Sequence, residues 1–245
     1  MPELVRALPG FTPWEIDRDA AIALGKAHAR AYADAQPYPH AIIDGFLGEE
    51  RAAAIARAYP TADHSGWKRR AYAEQARLGQ LQRTNFEGVA TELRWLLAEL
   101  GGMAFLDFLG ALTGRKDLIA DPHFTGAGLM ATEAGGHLGV HVDFNRDSAR
   151  HLSRAASILY YAPIAWETAW GGELELWDRA RTQCAVRIAP IRDRLVVIAY
   201  GEDHWHGHPT PLACPAGVLR AAVTAHYYVA TPSPADDERA HGALW

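Results

Sequence analysis

Four side chains in the second half of this 245-residue chain could, if brought together, hold a metal ion and a dicarboxylate. Over residues 137–144 strand alternation sends His137, Gly139, His141 and Asp143 to one face and Leu138, Val140, Val142 and Phe144 to the other. An imidazole and a carboxylate two residues apart on one face can both reach a single ion. A third ligand is at hand in His204-Trp205-His206-Gly207-His208. Two histidines and a carboxylate form the facial set that suits Fe(II), with three positions left for a co-substrate and oxygen. Fourteen residues after His206 (220 − 206), Arg220 heads an apolar run, where an inward guanidinium would grip a dicarboxylate through two parallel bonds. Each feature alone has a plainer reading: His141 and Asp143 as a hydrogen-bonded pair at a strand end, Arg220 as a surface residue opening a strand. Their order along the chain is what carries the argument.

These residues need a flat support. After Asp121-Pro122 the pattern changes to short period-two runs separated by Gly, Pro and charged turns, predicting strands over 128–132, 137–144, 156–162, 173–177, 185–188, 195–200 and 220–229. That spacing is typical of a sandwich, barrel or jelly roll. The first half reads helical. Thr12-Pro13-Trp14-Glu15 has the form of a capping box opening an alanine-rich helix to about Tyr32. A short strand follows over 40–43, then a helix over 49–59 stopped by Pro60, and apolar residues at helical spacing over 92–112 broken at Gly101-Gly102. The expectation is one domain, with residues 1–120 as a helical layer plus opening strand, 121–230 as the jelly-roll core and 231–245 as a loosely ordered polar tail.

Composition narrows the function classes. With 49% hydrophobic and 22% charged residues the chain is an ordinary globular one rather than a disordered or fibrous one. No apolar stretch is long enough to span a membrane, and residues 1–10 lack the basic start and apolar run of a secretion signal, so the expected compartment is the cytoplasm. The net charge of −5 argues against a nucleic-acid partner, and the one compact basic cluster, Trp67-Lys68-Arg69-Arg70, reads as a solvated face. Cys184 and Cys214 are too few for a disulfide framework. No heptad or symmetric patch specifies an oligomer.

Taken in order, His141-Val142-Asp143, Arg154-Ala155-Ala156-Ser157-Ile158-Leu159-Tyr160-Tyr161, Trp170-Gly171-Gly172-Glu173-Leu174, Trp205-His206-Gly207-His208-Pro209 and Arg220 with Tyr227-Tyr228 resemble the 2-oxoglutarate and Fe(II)-dependent oxygenases, in particular their prolyl-4-hydroxylase-like branch. The segment Pro37-Tyr38-Pro39-His40-Ala41-Ile42-Ile43-Asp44-Gly45 is similar to the strand that opens many of them. The resemblance covers most of residues 37–230. It implies a double-stranded β-helix, the cupin-like jelly roll, flanked by helices. It also implies His141, Asp143 and His206 as the catalytic iron ligands and Arg220 as the partner of the distal carboxylate of 2-oxoglutarate.

The resemblance further implies an O2-dependent hydroxylase acting on an unactivated C–H bond of an amino acid, free or within a peptide or protein, with proline as first candidate. Succinate and carbon dioxide would be released, and ascorbate could support the reaction in vitro. Asp143 favours hydroxylation, because related halogenases carry a small residue in its place. The chain departs from the family at two points. Thr132 stands nine residues before His141 (141 − 132) where a tyrosine is usual, and Tyr160-Tyr161-Ala162 replaces Tyr-Leu-Asn, which leaves Ser157 or Tyr160 to take up the co-substrate contacts. Branches acting on alkylated bases carry a second arginine where this chain has His226. His204 and His208 are expected as loop histidines, solvated or hydrogen-bonding rather than ligating. Substrate-pocket candidates are Asn145, Arg146, Trp170 and His226, with Trp67, Arg69, Asn85, Arg150 and Trp166 behind them. Two other classes remain open: a cupin-type metalloenzyme that does not use 2-oxoglutarate, and a non-catalytic jelly-roll binding protein.

Overall fold

The computed structural model describes residues 12–70, 80–83, 88–231 and 240–245. Helix α1 (Arg18–Asp34) starts later than the capping box predicts. Its N-cap is Asp17, whose side chain accepts from the Ala20 N–H at 2.8 Å, satisfying a first-turn donor. Residues 12–16 are instead non-helical, with Trp14 and Ile16 packed on the core and the Ile16 N–H bonded to the Glu99 carboxylate at 2.8 Å. Burial of two large apolar side chains outweighs one more helical turn. Strand β1 (His40–Asp44), helix α2 (Glu49–Ala58) and strands β2 (Lys68–Arg70) and β3 (Gln80–Arg83) follow. The basic cluster expected as a solvated face lies partly in β2, where exposed Arg69 pairs with Glu133.

Helices α3 (Thr91–Leu100) and α4 (Met103–Thr113) are separated at Gly101-Gly102, as expected. They meet at a bend of 48°, and among the described residues no single helix is long and apolar enough to cross a membrane. Their apolar faces are buried: Leu93, Leu96, Phe105, Phe108 and Leu109 are fully covered.

The remaining strands are β4 (Ile119–Ala120), β5 (Gly128–Thr132), β6 (Leu138–His141), β7 (Arg146–Asp147), β8 (Leu152–Tyr161), β9 (Leu174–Trp177), β10 (Cys184–Ile188), β11 (Arg194–Ala199), β12 (His206–His208) and β13 (Arg220–Ala230). They form two antiparallel sheets, one ordered β1-β11-β8-β13-β5-β3-β2 with β4 on β13 and β7 on β8, the other β10-β9-β12-β6. This is the mainly β jelly roll with flanking helices that the sequence implies.

Strand alternation divides the long strands between two cores. On β13, Ala221, Val223, Ala225 and Tyr227 face the helices, while Arg220, Ala222, Thr224 and His226 face the inside of the roll. On β8, Tyr160 joins the helix-side core and Tyr161 the inter-sheet core with Tyr38, Leu174, Leu176, Ile188 and Val196.

One expectation is overturned at residues 240–245, read as part of a loosely ordered tail. Val142, next to the edge strand β6, exchanges both backbone hydrogen bonds with Leu244, each 2.9 Å long. The His241 N–H also donates to Asn145 Oδ1 at 2.9 Å. An open sheet edge offers unpaired backbone groups, and this segment satisfies them.

Helix α1 lies on α4 with no room to spare: a Cβ at Gly25 would come within 2.5 Å of the Phe108 carbonyl oxygen. Gly25→Ala is expected to lower stability by about 1–3 kcal/mol, the usual penalty for overpacking, in denaturant titration. Divalent-metal binding by the folded variant should remain, because the jelly roll is untouched.

Candidate metal centre

The backbone brings the two histidines together before any side chain is considered. β12 pairs with β6 so that His206 lies opposite His141, and their ring centroids are 4.7 Å apart. Gly207 allows that approach, since a Cβ there would meet the Gly139 and Leu138 carbonyl oxygens at 2.6 and 2.8 Å. Each ring is oriented by a backbone carbonyl. His141 Nδ1 donates to Gly139 O and His206 Nδ1 to His204 O, both at 3.0 Å, which leaves Nε2 of each with its lone pair free.

Asp143 completes the group. Its Oδ1 lies 3.5 Å from His141 Nε2 and its Oδ2 3.8 Å from His206 Nε2. One donor atom from each residue falls within 4.8 Å of the others, so the three could hold a metal ion. Two neutral imidazoles and one carboxylate are the donor set suited to Fe(II).

Electrostatics keeps the donors in ligating form. Burial by itself pushes the Asp143 carboxyl up, but the Arg154 guanidinium first, and then the neighbouring imidazoles of His141, His206 and His226, more than offset it, holding the group well below the usual carboxylate range. Burial, reinforced by repulsion from His141, brings His206 down to about 4. Burial and Arg154 bring His226 down to about 3.

A cavity of about 520 Å³ opens onto these ligands. Thr132, Ser157, His208, Arg220 and His226 line it among the polar residues, and Met130, Leu138, Phe144 and Trp245 among the apolar ones. Arg220 is buried. Its Nε donates to the Gly172 carbonyl at 2.6 Å and its Nη2 to the Tyr161 hydroxyl at 2.9 Å. Among the described residues no carboxylate lies within 4 Å of it. A buried cation without a counter-ion is costly, and a bound anion offsets that cost.

The sequence-derived candidates divide accordingly. His141, Asp143, His206, Arg220, Thr132, Ser157 and His226 come together around one cavity. Tyr160 does not: alternation turns it to the helix side, where its hydroxyl donates to Asp193 at 3.0 Å, and its neighbour Tyr161 meets Arg220 instead. Asn145 anchors residue 241, Arg146 lies outside the cavity, and Trp170 packs edge-on against Trp166 at 5.5 Å. Trp67 stacks near Tyr59, and Arg69 and Arg150 pair with Glu133 and Asp147. Asn85 lies outside the described residues.

His204 and His208 hydrogen-bond rather than ligate, as expected, though both are buried and His208 lies in a strand instead of a loop. His204 is buried, stacks on Tyr38 at 4.2 Å and bonds to the Ala199 carbonyl, while His208 sits in β12 with its Nε2 3.4 Å from Thr132 Oγ1. Neither belongs to the candidate ligand group.

Trp245 and Arg154 were missed as site residues. The Trp245 ring lies 5.0 Å from that of His141, brought there by the Val142–Leu244 pairing, and no local pattern announces it. Arg154 is three residues from Ser157 and so out of period-two phase with it; a register shift in the β8–β13 pairing brings both to the same side, and only the fold shows that Arg154 meets Asp143.

This arrangement, a jelly roll whose inner face carries a His-x-Asp…His set and an arginine with no carboxylate partner among the described residues, has the donor set that suits a non-haem iron centre. Residues 127–228 match the family described as the 2OG-Fe(II) oxygenase superfamily, so this part of the chain is similar to the Fe(II)- and 2-oxoglutarate-dependent dioxygenases. The fold of the chain is similar to that of a prolyl hydroxylase from Trichoplax adhaerens, solved in complex with a hypoxia inducible factor peptide fragment: 17% identity over 86% of this chain and 91% of that one, TM-score 0.59. It is also similar to prolyl 4-hydroxylases from Pseudomonas putida (19% identity, 84% and 99% covered, TM-score 0.55) and Phytophthora capsici (19%, 93% and 72%, TM-score 0.57). No curated protein matches.

The titrations have a consequence for the metal-free protein. Asp143, His206 and His226 have folded values below their unfolded ones, so each contributes stability above its unfolded value that is lost as pH falls toward the folded one. For the histidines that window runs from 6.5 down to about 4 and about 3. Thermal melts of metal-free protein are expected to be level near neutrality and to fall progressively below 6.5, and His226→Gln should flatten that slope.

Proposed function

We propose that this chain hydroxylates an unactivated C–H bond of an amino acid, free or within a peptide, with proline as the first candidate and succinate and carbon dioxide as co-products. The single observation that carries the co-substrate reading is the buried Arg220 guanidinium with no carboxylate partner among the described residues, lining the same cavity as the three candidate ligands. A cupin-type metalloenzyme that uses no dicarboxylate would leave that charge uncompensated. The proline assignment draws its support from the prolyl hydroxylases of similar fold.

In this reading His141 Nε2, His206 Nε2 and one Asp143 oxygen hold Fe(II). Iron(II) with 2-oxoglutarate and O2 supplies the oxidising chemistry. The chain does the rest. Arg220, steadied by Gly172 and Tyr161, grips the distal carboxylate of 2-oxoglutarate and orients it. Thr132 and Ser157 offer hydroxyls along the cavity, and Tyr161 takes the supporting role first expected of Tyr160. Phe144, Leu138, Met130 and Trp245 form apolar walls that exclude water and receive the substrate carbon.

Two experiments test this. In anaerobic titration with Fe(II) and then 2-oxoglutarate, wild type is expected to develop the charge-transfer band of a chelated keto acid. Arg220→Ala should need at least about tenfold more 2-oxoglutarate, the equivalent of 1.4 kcal/mol or more, with iron affinity little changed. Equal co-substrate affinity in the variant would contradict the role of Arg220, and absence of the band in wild type would contradict the class of reaction at this site. For the substrate side, Trp245→Ala should raise KM for the amino acid or peptide that stimulates succinate release by about tenfold or more, with the 2-oxoglutarate titration unaltered.

A further inference from the structure

The side chain of Arg154 is fully buried, and a charge taken out of water is tolerated only when well paired. Among the described residues the one carboxylate within 4 Å of it is Asp143, a candidate metal ligand. Arg154 Nη1 donates to Asp143 Oδ2 at 2.6 Å. Ser157 Oγ donates to the same oxygen at 3.4 Å. The guanidinium is held in that direction by the Phe144 ring, whose centroid lies 3.7 Å from Cζ, and by a backbone bond from the Arg154 N–H to the Asn145 carbonyl at 2.8 Å. Behind it stands His226, with Nδ1 3.1 Å from Ser157 Oγ and 3.3 Å from Arg154 Nη1. Asp143 Oδ1 has no part in these bonds and faces His141 Nε2.

We propose that Arg154 is a positioning residue that restricts Asp143 to a single ligating oxygen, an inference that rests on the metal reading given above. A carboxylate with both oxygens free can chelate an ion and fill two of its positions. With Oδ2 committed to a short charge-assisted bond, Oδ1 alone is available. His141, His206 and Asp143 then occupy three positions of a six-coordinate ion and leave three, enough for a bidentate keto acid and one small ligand. A chelating Asp143 would leave one fewer, and the small ligand would be shut out. Arg154 therefore governs how many ligands the site admits, while touching neither co-substrate nor substrate itself.

The test uses full-length protein loaded anaerobically with Fe(II) and saturated with 2-oxoglutarate, then titrated with nitric oxide as a small-ligand probe and followed by the electron paramagnetic resonance of the iron nitrosyl. Wild type and Arg154→Lys, which keeps a cation beside Oδ2, are expected to form the signal. Arg154→Met should give about tenfold less at the same nitric oxide concentration while binding iron at least as tightly, because it gains a carboxylate donor and loses a neighbouring positive charge. A nitrosyl titration in Arg154→Met that superimposes on wild type would overturn the proposal. So would loss of iron binding by a folded Arg154→Met protein, which would make the arginine a support for Asp143 rather than a limit on it. If Arg154→Met does not fold, Ser157→Ala decides: it removes the weaker donor to Oδ2 and should give a partial loss of signal, and an unchanged signal rejects the idea. Failure of wild type itself to bind iron or 2-oxoglutarate would instead strike the metal reading, which keeps the two failures apart.

Discussion

Everything at the site depends on the register between β12 and β6. Side chains on a strand alternate, so a slip of one residue would turn His206 away from His141 and present Gly207 in its place. Gly207 holds that register from one side, because its missing side chain lets the strand lie against the carbonyls of residues 138 and 139. The carbonyls of Gly139 and His204 hold it from the other, by bonding the Nδ1 atom of each ring. Metal-ligand geometry here is a property of strand pairing first and of side-chain rotamers second.

Around that pairing the fold distributes charge unevenly. Asp143 is buried with a full counter-ion in Arg154, which keeps it ionised despite its surroundings. Among the described residues Arg220 is buried with neutral hydrogen-bond partners, a carbonyl and a phenol. One buried arginine has its counter-ion within the chain and the other has none among the described residues. That contrast supports the proposed division between a residue that shapes the centre and one that recruits a co-substrate. Gly172, whose Cβ would collide with Leu212 and crowd Arg220, keeps space for the second arginine to extend.

The cavity walls come from distant parts of the sequence for a physical reason. β6 stands at the edge of the smaller sheet, and its continuation at Val142 would present open hydrogen-bonding groups beside the ligands. Residues 240–245 occupy that edge and bring Trp245 onto His141. The same backbone bonds that close a sheet edge thus place an aromatic surface next to the reacting centre. On the other side, Phe144 both lines the cavity and backs the Arg154 guanidinium, so wall and electrostatics share one ring.

How much of this was legible in the sequence follows from the range over which each signal acts. Local patterns were enough for most of the jelly-roll strands, though not for β12, and for the break at Gly101-Gly102 and the phase that Arg220 and His226 share on β13; Ser157 entered only through the family resemblance. The His-x-Asp spacing is local too, and with His206 and Arg220 in order it named the metal chemistry. The start of α1 at Asp17 was not legible, because the burial of Trp14 and Ile16 against other elements competes with the capping pattern. The choice of Tyr161 over Tyr160 required knowing which face of β8 meets the helices. The pairing of Arg154 with Asp143 and the docking of residues 240–245 on β6 depend on which backbone atoms remain unpaired after the sheets assemble. Sequence alone determined which residue types recur at strand spacing, and hence the fold class and the chemistry available. Tertiary structure alone decided which charges are buried together and which are left without a partner, because burial and pairing are properties of the assembled sheets.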